Sequence, residues 1–134
     1  MRILFYVSLQ FCITLGVIAQ SNNALQTSFI TATAWTVDEC YIDSMLYPKA
    51  INSVTHFYEN GDFTRFERDT LIPGPTWSFV NSNQLTITYS NTQFNELYNI
   101  VVLEPNVLIL KHQVYDSDKK LRTVEIRYKP YIKN

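Results

Sequence analysis

From residue 30 onward, apolar and polar positions alternate in short runs separated by turn residues, and no stretch after residue 29 has the 3.6-residue period of an amphipathic helix. The first run places Thr31, Thr33, Trp35, Val37, Glu39 and Tyr41 on one face and Ala32, Ala34, Thr36, Asp38, Cys40 and Ile42 on the other. Further runs cover 51–58, 62–69, 76–80, 84–89, 96–103, 107–115 and 120–129, so the chain predicts about eight strands. Residues 43–50 contain Pro48 and read as a crossover loop or a single helical turn, because proline cannot donate to a ladder. Leu71-Ile72-Pro73-Gly74-Pro75 interrupts the alternation in the same way.

The sharpest local signal is Phe57-Tyr58-Glu59-Asn60-Gly61-Asp62-Phe63, where Asn-Gly, a pair tolerant of positive φ, lies between two aromatic-rich arms. A two-residue loop would set Tyr58 opposite Phe63; a three-residue loop with a bulge at Gly61 sets Phe57 opposite Phe63. The second register is preferred because it gives both phenylalanines to the interior and leaves Tyr58 outside with His56. Hairpins chained end to end form a meander, and a meander of this length closes into a barrel or a sandwich to remove exposed edges. One parity per strand predicts an interior from the first three runs of Trp35, Val37, Tyr41, Phe57 and Phe63. From the middle runs it adds Trp77, Phe79, Leu85, Ile87 and Tyr89. The last three runs contribute Tyr98, Ile100, Val102, Leu108, Leu110, Val114, Val124, Ile126 and Tyr128.

Residues 1–19 differ in kind: Arg2 precedes an apolar stretch from Ile3 to Ile18, and Val17-Ile18-Ala19 presents small residues at the −3 and −1 positions. The pattern is that of a secretory signal peptide cleaved after Ala19, and the apolar run falls short of the about 20 residues of a membrane span. Cleavage leaves 115 of the 134 residues, enough for one core, with residues 20–29 as a polar lead and 30–131 as one domain. One of the 11 basic residues leaves with the peptide and none of the 12 acidic ones, so the remainder is slightly acidic. That balance points away from nucleic acid and anionic lipid surfaces. Cys12 leaves as well, and Cys40 then stands without a disulfide partner, reading as a small buried hydrophobe.

Taken together, Trp35 early in the first strand, Phe57-x-x-x-Gly61-x-Phe63, Thr76-Trp77, Leu85-x-Ile87, Tyr98-x-Ile100 and Leu108-x-Leu110 resemble the small secreted bacterial lipocalin-like proteins of the calycin type. The resemblance spans roughly residues 30–130 and implies an all-β, eight-stranded antiparallel up-and-down meander barrel with room for a pocket. Where classical lipocalins open with Gly-x-Trp, this chain has Thr33-Ala34-Trp35. Their cross-barrel arginine on the last strand has two candidates here, Arg122 and Arg127.

Charged or titratable residues on otherwise apolar faces mark the candidate site. Glu39 shares a parity with Trp35, Arg65 with Phe63, and His112 with Leu108 and Leu110. Buried charges are costly unless paired, so these side chains are expected either to pair, as Arg65 with Glu39, or to meet a ligand. In the second case Arg65 and His112 would receive an anionic head group while Trp77, Phe79 and Tyr98 enclose an apolar tail. His56 and His112 lack the companion ligands of a metal site. Ser53, His56 and Asp69 could form a triad on paper, but no nucleophile-elbow glycines accompany them. The expectation is a secreted or periplasmic, non-enzymatic barrel, without cofactor or stable membrane insertion, that binds a small hydrophobic or amphiphilic ligand. The alternative is a filled barrel serving as an envelope structural or protein-interaction module.

Overall fold

The computed structural model describes residues 23–48, 52–67, 70–72, 74–89 and 95–134; the proposed signal peptide lies outside them. Among the described residues, a helix α1 (23–31) is followed by ten strands: β1 Trp35–Ile42, β2 Met45–Leu46, β3 Ser53–Phe57, β4 Phe63–Glu67, β5 Thr70–Ile72, β6 Thr76–Asn81, β7 Gln84–Thr88, β8 Asn95–Glu104, β9 Val107–Tyr115 and β10 Leu121–Pro130. All pair antiparallel in the order β5-β4-β3-β1-β10-β9-β8-β7-β6, with β2 beside β1. The two ends of this order meet. β5 pairs with β4 through Arg65–Glu67, and Thr76 at the start of β6 bridges to Asp62 just before β4. The Phe63 amide donates to the Pro75 carbonyl at 3.1 Å and the Trp77 amide to that of Gly61 at 2.9 Å. With β5 and β6 sharing one flank of β4, the sheet curls into an up-and-down barrel of eight positions, the lipocalin-like architecture.

Turn chemistry sets the register. Phe57 pairs with Phe63 and Gly61 has φ 92°, the three-residue bulged loop preferred on sequence grounds, with His56 and Tyr58 stacked outside at 4.1 Å. Residues 43–50 do not begin as a crossover loop or helical turn: Asp43 and Ser44, at φ 50° and 67°, close a two-residue hairpin between β1 and β2. This turn is tied to β10, since the Asp43 carboxylate accepts from the Thr123 amide at 3.0 Å and from Arg122 at 2.8 Å.

Within the described residues, the polar lead predicted for 20–29 and the strand alternation predicted from residue 30 are corrected by α1, which covers 23–31. Its Thr27 and Thr31 hydroxyls bond back to carbonyls four residues earlier, which satisfies the hydroxyls but adds no helix stability of its own. Tertiary packing then holds it: Ile30 is fully buried against the barrel end, and the Trp35 indole donates to the Ile30 carbonyl at 2.9 Å. Gln26 adds a bond to the Ser82 carbonyl in the β6–β7 turn at 2.7 Å. The α1 end is thus closed, and behind it lies the core of Trp35, Phe57, Phe63, Trp77, Leu85 and Leu108.

Two β-bulges revise the predicted interior. In β1 the register slips between Val37 and Glu39, so Trp35 and Val37 face in, but Cys40 and Ile42 follow them instead of Tyr41. Tyr41 instead lies on the outer surface, 4.6 Å beneath the Arg127 guanidinium. In β8 the slip between Ile100 and Val102 leaves Leu103, paired with Leu108, against the core in place of Val102.

Candidate functional site

The half of the barrel away from α1 encloses a cavity of about 350 Å³. Its apolar wall comes from Val37, Ile42 and Ile126, with Cys40 between them. Polar positions are Ser53 on β3, Tyr47 after β2, Tyr98 on β8 and Tyr128 on β10. Arg65 and Glu67 project from β4, Glu96 from β8 and His112 from β9. The site therefore forms where strand alternation carries the inward rows of six strands, β1, β3, β4, β8, β9 and β10, past the filled core.

Side-chain size along the barrel axis explains why the cavity is at this end. The α1 end holds Trp35 together with an edge-to-face cluster in which Phe57 lies 5.4 Å from Trp77 and 5.1 Å from Phe63. The corresponding inward positions toward the other end are smaller, Val37 and Cys40 on β1 and Ser53 on β3. The barrel is filled at one end and hollow at the other.

The predicted site residues divide accordingly. Arg65, Tyr98 and His112 all line the cavity. Trp77 and Phe79, expected around an apolar tail, lie in the core instead, 5.2 Å apart edge to face, with the Trp77 indole donating to the Tyr58 carbonyl at 2.9 Å. Glu39 is outside the barrel, because the β1 bulge inverts its parity; it accepts from Tyr41 at 2.8 Å and pairs with Arg127 at 3.4 Å. The expected Arg65–Glu39 pair is therefore replaced by Arg65–Glu67, two residues apart on β4 at 3.8 Å. Ser53 and His56, three apart on β3, face opposite sides, so they do not assemble as a nucleophile and base; Asp69 is outside the described residues.

Glu67 and Glu96 were not singled out from the sequence. Each shares its strand's parity with a residue that was, Glu67 with Arg65 and Glu96 with Tyr98, and that alternation was the available signal. The Glu96 carboxylate accepts from the Tyr98 hydroxyl and, at 3.3 Å, from Tyr89. Burial raises the Tyr98 phenol pKa, with the Glu96 charge adding to it, and pushes Tyr128 up to about 12. Burial alone would lower the Arg65 pKa, but the phenols of Tyr128, Tyr98 and Tyr89 outweigh it and the guanidinium stays charged. His112 stacks on Tyr98 at 4.5 Å, and burial, then Arg65, lower its pKa against an opposing pull from Glu96. Its imidazole is neutral at pH 7.

The wall is interrupted beside Glu96 and His112. β8 and β9 pair only from Asn99 with Lys111 to Glu104 with Val107, so Asn95–Tyr98 and His112–Tyr115 are not paired to each other. A cleft opens between these segments, and Glu96 and His112 line both it and the cavity.

No family model and no curated protein matches this chain. Among solved structures it is similar to a deswapped triple mutant of bovine odorant binding protein, at 8% identity and a TM-score of 0.45, over 74% of this chain and 72% of that one. At that level of similarity the strand pairing itself defines the fold, an all-β, lipocalin-like meander barrel.

Proposed function

We propose that this protein binds a small, partly apolar molecule, non-covalently, in the hollow half of its barrel, with Arg65, Tyr98 and His112 among the contacting residues. The supporting observation is the cavity itself, about 350 Å³ with an apolar wall and convergent polar groups. Small-molecule sites run from about 300 to 1,000 Å³ and have that composition. A compact ligand fits this space better than a long acyl chain. Burial of its apolar surface would supply the affinity, at about 25 cal/mol per Å² before the costs of association.

Mass spectrometry of small molecules released from the purified protein tests the reading. A defined species should accompany the wild type and be absent from Cys40→Trp, whose indole would occupy the cavity. If the wild type carries nothing and no compound displaces an environment-sensitive dye from it, ligand binding is wrong. The rival reading, an interaction module, is favoured by the exposed Met45 and Leu46 of β2. It requires that Cys40→Trp retain every interaction of the wild type.

The same reading includes export, with removal of residues 1–19. Intact mass of the protein from its native host should begin at Gln20. A product retaining Met1 to Ala19 would overturn it.

A further inference from the structure

The polar groups of the cavity carry a charge imbalance. Among the described residues lining it, Arg65 is the one cation, and Glu67 and Glu96 are both acidic. Arg65 stands 3.8 Å from Glu67, so this cation and this carboxylate offset each other. Glu96 has no cationic partner among the described residues: it is held by the phenol hydroxyls of Tyr98 and Tyr89, both of which donate to the same carboxylate oxygen, Oε2.

We propose that the ligand of this cavity carries a protonated amine on a small aromatic or aliphatic body, with Glu96 as its counter-charge. This rests on the ligand-binding reading of the same cavity and assigns its head-group chemistry. A carboxylate withdrawn from bulk water is stabilised by an opposite charge brought against it, so a cationic occupant neutralises the cavity whereas an anionic one adds to the excess. The hydrogen-bonding geometry agrees. Both phenols use their protons on Glu96 Oε2, which leaves Oε1 and the phenol lone pairs as acceptors for an ammonium group's three donors. The neutral His112 ring, stacked on Tyr98, offers a further acceptor nitrogen and no competing charge. The anionic head group predicted from the sequence rests on Arg65 and His112, but in the structure Arg65 is offset by Glu67, and Glu96 lines the same cavity.

Three probes of one shape and different charge provide the test: 2-phenylethylamine, 2-phenylethanol and 3-phenylpropanoate, titrated by calorimetry into the wild-type protein at pH 7. The amine should bind about tenfold or more tightly than the alcohol, the size of one charge-assisted interaction, and the propanoate should bind weakest. In Glu96→Gln the amine should lose that advantage while the alcohol still binds. Arg65→Met, which removes the opposing cation, should tighten the amine. Tightest binding of the propanoate, or an undiminished amine preference in Glu96→Gln, would overturn the head-group assignment while leaving the cavity a binding site. Binding of none of the three, together with no small molecule in the purified protein, would overturn the cavity reading and this assignment together.

Discussion

The indole nitrogen of Trp35 donates to the carbonyl of Ile30 at 2.9 Å, and both side chains are fully buried. This bond joins the last turn of α1 to the first residue of β1 and closes one end of the barrel. Ile30→Ala should therefore cost about 2–5 kcal/mol, the range for deleting a buried aliphatic side chain. Trp35→Phe should cost at least about 1–3 kcal/mol by leaving the Ile30 carbonyl unpaired, with the lost indole volume in addition. Urea unfolding monitored by circular dichroism measures both. An Ile30→Ala midpoint equal to the wild type would show that α1 does not contribute to barrel stability.

Gly61 sits at φ 92° in the β3–β4 turn, and a Cβ there would meet only the Trp77 carbonyl, at an ordinary 3.6 Å. The cost of substitution is therefore conformational rather than steric. Gly61→Val should destabilise by about 1–3 kcal/mol, and Gly61→Asn by clearly less, since asparagine tolerates positive φ. Equal melting temperatures for the two variants would contradict this.

Arg122 bonds Asp43 and Asp116, each at 2.8 Å, and ties the β1–β2 turn to the β9–β10 turn. Both carboxyls titrate below their ordinary value near 3.8, Asp43 through the Thr123 amide and Arg122, Asp116 through the Lys120 amide and Arg122. Groups with depressed native pKa values stabilise the fold fully above the unfolded value and lose that contribution as pH falls through the native one. The urea midpoint should thus fall between about pH 5 and pH 2, and fall less steeply in Arg122→Met. Parallel curves would show that the arginine does not couple to this titration.

Cys40 lines the cavity, and burial raises its thiol pKa. Iodoacetamide at pH 8 should alkylate it more slowly in the native protein than in denaturant, because the thiolate is the reactive form. A cavity occupant should slow it further. Equal native and denatured rates, read by peptide mass spectrometry, would place Cys40 outside.

Much of the barrel was legible because strand alternation and turn chemistry are local. The Phe57–Phe63 register followed from Asn60-Gly61 and the preference of both rings for the interior; Arg65 and His112 reached the cavity because β4 and β9 keep one parity from core to mouth, and Tyr98 because it precedes the bulge in β8. Glu39 and Tyr41 were misplaced for the same reason in reverse. One extra residue in β1 inverts every later position, and its accommodation depends on the ladder with β10. Helix α1 was missed because its polar sequence lacks a helical stripe and its stability comes from Ile30 seated on a barrel that only the folded chain supplies.

The sequence by itself determined the all-β class, eight of the ten described strands and most of the inward row, because these depend on a period of two and on residues that tolerate tight turns; β2 and β5 fall where it predicted a loop and a break. Only the tertiary structure decided that the barrel is filled at one end and hollow at the other, and that Arg65 faces Glu67 rather than Glu39. The reason is that a cavity and a charge pair depend on how side chains from distant strands stack along a shared axis. That stacking is set by register and by the positions of the bulges, which alternation within a single strand does not encode.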